Sequence, residues 1–258
     1  MRKIMTLSLL LTTILVAHHS YAGWDISRDL IEQQANNLLQ KYTENKTHIK
    51  TNNMASTLSS DKLINGLRES LVLSSERAIK LISLDGGYFN DPTIRVPMPN
   101  GFKKLAGPLR KLGMGKQVDQ FMQSINRAAE QAAPKATAIL LNSIEAMSFE
   151  DVRSIYVGAD DAATQYFRIQ AGPKIADLFR PEVNTALNQV GATRYYNDLA
   201  SQVAKLPLIG EQVKGDLTHH VTQAALNGLF LKLAQQEQLI RNNPGARTTD
   251  LLKQLWPN

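Results

Sequence analysis

The stretch KQVDQFMQSINRAAEQAAPKATAILLNSIEAM, Lys116 to Met147, decides the fold class. Val118, Phe121, Met122, Ile125, Ala128, Ala129, Ala132, Ala136, Ile139, Leu140 and Ile144 recur at helical spacing near one broad face. At 1.5 Å per residue the stretch makes about 48 Å of helix, far beyond the length of a strand. Pro134 lacks a backbone N–H, and its ring crowds the preceding turn, so a kink is expected there.

The same reading extends outward. Upstream, Phe102 to Leu112 forms a short helix, interrupted or begun at Gly107-Pro108 and ended by Gly113-Met114-Gly115. Asp91 to Gly101 holds three prolines around Thr93-Ile94-Arg95-Val96, which reads as a loop or a short edge strand. Before it, Asp61 to Leu84 is a helix with Ser60 as its cap and Asp85-Gly86-Gly87 as its stop. Downstream, Ser148 opens a capping pattern with Asp151, and that helix ends near Val157-Gly158. Asp160 can cap a helix from Asp161 to Phe179 with an irregularity at Gly172-Pro173, and Pro181 opens the next segment to Val190. Tyr195 to Leu206, Gly215 to Asn242 and Thr249 to Trp256 complete the series. Strand candidates are almost absent. Helical stripes are then buried only against other helices, so the expected class is all-α, a bundle of roughly eight to ten helices with kinked long members.

The N-terminus has another logic. Met1-Arg2-Lys3 is basic, Met5 to Ala17 is apolar, and Ser20-Tyr21-Ala22-Gly23 offers a small-residue cleavage site, the order of an export signal. The apolar run is shorter than the roughly 20 residues that cross a hydrocarbon core. Residues 1–22 are therefore expected to be removed, and the mature protein is expected to be water-soluble and exported, to the periplasm first and otherwise to the medium. Trp24 to Thr43 is a first amphipathic helix and Glu44 to Ser60 a polar linker, leaving residues 58–258 as the main helical domain.

Cysteine is absent, so neither disulfides nor a lipidated cysteine stabilise or anchor the chain. A hydrophobic content of 43% suffices for a core rather than disorder. The net charge of +6 includes Arg2 and Lys3 of the expected leader, so the mature chain is only modestly basic, far from the concentrated excess of a nucleic-acid binder. No H-E-x-x-H, G-x-S-x-G, phosphate-binding glycine loop or calcium loop is present. His219 and His220 are adjacent and point to different faces of a helix, so they cannot chelate one metal together. No cofactor or metal site is expected.

Three groups of side chains merit attention. Asn126, Arg127 and Glu130 lie among small residues, with Asn126 and Glu130 on one face, and either line a pocket or tie helices together. Asp160-Asp161 with Thr164 and Tyr166 stands at a helix start, where acids suit the helix dipole as well as a hard cation. Glu237 and Arg241, at i and i+4, make a surface pair. The ligand-site candidates are thus Asn126, Arg127, Glu130, Thr164, Tyr166 and Arg241; meeting in one cleft, they would suit a hydrolase-like enzyme. A fourth feature concerns partners. Phe102, Leu105, Leu109 and Leu112 form a stripe beside Lys103, Lys104, Arg110, Lys111 and Lys116, a basic amphipathic helix that either lies on an anionic membrane or packs into the bundle. Trp24 and Trp256, near the two mature ends, suit packing anchors.

A set of short segments carries a family resemblance: Gly66-Leu67-Arg68-Glu69-Ser70-Leu71, Asp85-Gly86-Gly87-Tyr88, Pro97-Met98-Pro99, Asn126-Arg127-Ala128-Ala129-Glu130, Met147-Ser148-Phe149-Glu150-Asp151, Ala163-Thr164-Gln165-Tyr166-Phe167, Asn227-Gly228-Leu229-Phe230, and Glu237 through Arg247-Thr248-Thr249. In this order, over about Asn65 to Trp256, they resemble the bacterial exported proteins of domain-of-unknown-function family 4197. The resemblance implies a helical, exported protein without an assigned activity, and brings no catalytic residues with it. The leading functional expectation is an exported helical module that binds an envelope protein, an anionic lipid surface or a small ligand.

Overall fold

The computed structural model describes residues 59–204 and 215–257. The expected leader, the helix at 24–43, nearly all of the polar linker and the end of the Tyr195–Leu206 segment lie outside the described residues. Eleven helices are described: α1 (Ser60–Ile82), α2 (Asn100–Lys103), α3 (Ala106–Leu109), α4 (Gly115–Ala132), α5 (Ala136–Glu145), α6 (Phe149–Tyr156), α7 (Ala162–Tyr166), α8 (Gly172–Gln189), α9 (Ala192–Val203), α10 (Leu217–Asn242) and α11 (Asp250–Leu255). Among the described residues there is no strand, and the segment around Thr93 to Val96 is turn and extended chain. None of the described helices is long and apolar enough to cross a membrane.

Helix α10 is the axis of the bundle. It packs against α1, α8, α7 and α4, and its buried residues, from Val221 and Ala225 through Leu229 and Leu233 to Ile240, face more than one side. Its closest partner is α1, whose buried stripe includes Gly66, Ser70, Ser74, Ser75 and Ala78 among larger residues. Gly66 gives room to α11, with Leu255 and Leu251 3.3 to 3.5 Å from the site of a Cβ, and the Ser74 hydroxyl is kept satisfied by donating to Ser70 O of its own helix at 2.8 Å. On the other side α4 packs against α8 and α9. Phe102, Phe121 and Tyr196 meet there with ring centroids 5.3 to 6.0 Å apart.

Local chemistry explains most boundaries. Ser148 and Asp151 form a reciprocal capping box: the Ser148 hydroxyl accepts the Asp151 N–H at 3.2 Å, and the Asp151 carboxylate accepts the Ser148 N–H at 2.9 Å. The cap of α1 is Ser59 rather than the expected Ser60, a shift of one position. Pro134 breaks the long helix as expected, through a tight turn at Ala133–Lys135 between α4 and α5. Pro181 does not open a segment but lies inside α8. Asp177, whose carbonyl loses its i+4 donor there, and Pro181 are both exposed, so the loss falls on the solvent side of the helix, where it costs least. The irregularity expected at Gly172-Pro173 is a wide, π-type turn at Phe167–Ala171 that ends where α8 begins. Asp160 does not cap α7; its carboxylate accepts from Asn242 Nδ2 at 2.8 Å.

One close crossing fixes the loop after α1 against the axis. Residue 228 of α10 passes over Tyr88 and Ile94, and a Cβ there would stand 2.6 Å from the Tyr88 ring and 3.1 Å from Ile94 Cβ. Only glycine fits. Gly228→Ala is therefore expected to lower stability by about 1–3 kcal/mol in urea unfolding. Gly107→Ala, where nothing lies within 4 Å of the new methyl group, is expected to stay within about 0.5 kcal/mol of the native chain.

Candidate functional site

The candidate residues on α4 face a segment of turns and extended chain, from Ser83 to Pro99, whose own backbone bonds are a few isolated turns. Asn126 is fully buried. Its Oδ1 accepts the Val96 N–H at 2.8 Å, while its Nδ2 donates to Val96 O at 3.1 Å and to Met122 O at 2.9 Å. A side-chain amide thus takes the place of a neighbouring strand. One turn along, Glu130 Oε1 accepts the N–H groups of Tyr88 and Phe89 at 3.1 and 3.2 Å. Glu130 Oε2 faces Arg127 Nη1 at 3.3 Å, and Arg127 continues to Asp85 at 2.6 Å.

The far side of the loop is tied to α10. The Tyr88 hydroxyl donates to Ala225 O at 2.7 Å, and burial, aided by the Glu130 charge, pushes this phenol far above its usual value. Lys232 pairs with Asp91 at 2.6 Å, and His220 Nε2 lies 2.8 Å from Pro97 O, in the tautomer that donates to it. The loop is pinned from two helices at once.

Thr164 and Arg241 meet elsewhere, at a residue read from the sequence as exposed. Glu237 is 2% exposed and Arg241 5%, so their ion pair of 3.1 Å is buried rather than on the surface. The position of Glu237 carried the signal: it follows Leu233 by four and precedes Ile240 by three, on the apolar stripe of α10. Glu237 Oε1 accepts the Ala163 N–H at 3.0 Å, and Oε2 accepts the Thr164 N–H at 2.9 Å and its hydroxyl at 2.8 Å. Those backbone groups belong to the first turn of α7, which lacks a cap of its own. Glu237 is that cap, delivered from another helix. Arg241 also donates to Ile155 O at 3.0 Å, and its guanidinium lies 4.4 Å from the centre of the Trp256 ring, which stacks on Tyr156 at 5.0 Å. Trp256 is thus the expected anchor, whereas Trp24 lies outside the described residues. Burial pushes the Glu237 carboxyl above its ordinary value, against the pull of Arg241 and the Thr164 and Ala163 donors, and lowers Arg241.

The six ligand-site candidates therefore divide. Asn126, Arg127 and Glu130 serve the loop at 83–99, Thr164 and Arg241 serve the junction of α6, α7 and α10, and Tyr166 belongs to neither, its ring edge-on to Phe167 at 5.6 Å. Among the described residues no hydrogen bond or ion pair joins the first group to the second. No set of three His, Asp or Glu side chains stands together as metal ligands would, again among the described residues. A small cleft of about 200 Å³ opens instead near α2 and the start of α10, lined by residues including Phe102, Tyr196, Asp216 and His220.

The basic stretch is also rearranged. It is split into α2, α3 and a wide turn at Arg110–Met114 rather than one helix. Phe102, Leu105 and Leu109 are buried, so that stripe faces the bundle core. Lys103, Lys104, Arg110, Lys111 and Lys116 are exposed, and Arg110 is paired with Asp119.

A family model described as a protein of unknown function, DUF4197, matches residues 57–257. No curated protein and no solved structure matches the chain.

Glu130→Ala would strand the N–H groups of Tyr88 and Phe89, and is expected to cost about 2–5 kcal/mol in urea unfolding. Arg127→Ala, at a half-exposed partner, is expected to cost less than about 1 kcal/mol. A pH dependence follows from Asp91. Its hydrogen bonds to Lys232 and Thr93 hold its carboxyl at about 2, below the ordinary 3.8. A lowered folded value means stabilisation that is present above the ordinary value and is lost as pH falls through the folded one. Asp91→Asn should therefore lower Tm near neutral pH, and the gap to the native chain should close between about pH 4 and pH 2.

Proposed function

Because the chain belongs to the DUF4197 family, whose members carry no assigned function, we propose from its own geometry that it is an exported helical module that docks on a component of the cell envelope. One observation carries this reading. The groups best suited to ligand chemistry, Asn126, Glu130 and Glu237, give their acceptors to N–H groups of the chain itself. A hydrolase-like cleft built on Asn126 and Glu130 would have to release those amides first. What remains for function is the outer surface and the small cleft beside α2, and on that surface we take the exposed Lys103 and Lys104 at the end of α2, Lys111 in the turn after α3 and Lys116 in α4 as one basic edge.

Export is supported by the order of Met1 to Ala22, with basic, apolar and small-residue portions in sequence. The expected result of N-terminal sequencing after expression in a bacterial host is a periplasmic protein beginning at Gly23. A cytoplasmic protein that retains residues 1–22 would overturn the export half of the proposal. The docking half predicts that the exported chain sediments with envelope fractions and is released by salt. Exchanging Lys103→Gln, Lys104→Gln, Lys111→Gln and Lys116→Gln together should move it to the soluble fraction with Tm unchanged; an unchanged distribution would refute docking through this edge.

A further inference from the structure

We infer that the turn between α3 and α4 is a membrane-contact tip, which sets Leu112 into the headgroup region of an anionic leaflet while the surrounding lysines face its charge. This rests on the docking reading above and names the component docked on. The stripe that begins with Phe102, Leu105 and Leu109 cannot lie flat on a bilayer, because those three side chains are already buried in the protein. Leu112 has left the stripe. The wide turn at Arg110–Met114 and the left-handed Gly113, with φ 82°, carry it outward, and it is 61% exposed. The site of a Cβ on Gly113 has nothing within 4 Å, so the apex of the turn stands in open space.

The charge around the apex has one sign. From Asn100 to Val118 the sequence holds five cations and no acid. The next acid, Asp119, is engaged by Arg110. Among the described residues Lys103, Lys104, Lys111 and Lys116 make no ion pair, so their charge is offered outward. A soluble polyanion would use the lysines and leave Leu112 in water. An anionic leaflet uses both, because lysine stems lie along the apolar boundary with their ammonium groups among the phosphates. Each lysine held near such a surface strengthens binding by about fivefold. Inserting most of one leucine side chain adds about tenfold. The product is a reversible contact rather than an anchor.

The test is sedimentation of the exported, processed chain with vesicles of phosphatidylglycerol and phosphatidylcholine in equal parts, compared with phosphatidylcholine alone. Binding is expected to the anionic vesicles only and to fall at high salt. Leu112→Ser should weaken it by about tenfold, and Lys111→Gln with Lys116→Gln by more, each with native Tm because the substituted side chains are exposed. A Leu112→Trp variant should show a blue shift on anionic vesicles beyond any change from Trp24 and Trp256. Undiminished binding by Leu112→Ser overturns the inference, as does a chain that ignores both vesicle types but binds heparin. If the chain still sediments with cell envelopes while ignoring vesicles, the lipid assignment falls and the docking reading stands. If it is found in neither, both fall.

Discussion

A backbone amide removed from water must find an acceptor, and the interior of this bundle contains amides that no helix supplies. The loop between α1 and α2 enters the core with Tyr88, Ile94 and Val96 buried, and its N–H groups cannot be satisfied by a neighbouring strand. Asn126 and Glu130 supply what the strand would have supplied. An unsatisfied buried amide costs about 1–3 kcal/mol, so leaving three of them unpaired would consume much of the stability of an ordinary domain. The two side chains are therefore as much a part of the backbone hydrogen-bond system as any helix turn.

The same constraint acts at the other end of the axis. Helix α7 starts without a side-chain cap, and Glu237 reaches across from α10 to take its first amides. A buried carboxylate would be costly alone, and Arg241 offsets its charge while binding the end of α6 through Ile155. Trp256 then closes over the guanidinium, so the last residues of the described chain shield the pair from solvent. Both clusters are assembled from residues that look like ligand-binding chemistry because capping and ligand binding ask for the same atoms: carboxylate and amide oxygens aimed at N–H groups.

That ambiguity explains what was legible in the sequence. Helices with long apolar periods, α1, α4 and α10, are evident from spacing, and the all-α class follows from them. Boundaries governed by local chemistry are also legible, as with the capping box at Ser148 and the break at Pro134. Pro181 misleads because its cost depends on whether the freed carbonyl faces water, which spacing does not reveal. Leu112 misleads for a related reason: a wide turn rotates it away from Phe102, Leu105 and Leu109, and periodicity assumes an unbroken helix. Asn126 and Glu130 stand out in the sequence as polar residues among alanines, read as lining a pocket or tying helices together, but the partners they have lie 30 to 42 positions away in a loop. Glu237 and Arg241 show the converse, since the i, i+4 rule gives their pairing but says nothing about how deeply it is buried.

The pairing of α1 with α10 has a consequence for how the molecule comes into being. The first described helix has as its closest partner one that follows it by more than 130 residues, and it also packs on α11 beyond that, so the contacts that close the core join segments distant in sequence. Such topologies fold slowly, because loop closure must precede its reward. Until α10 is available, the serine-lined face of α1 and the buried side of the loop after it have no permanent cover. On the export route proposed above, this would keep the chain loose while it is threaded, to set only when α10 and α11 have joined α1 on the far side.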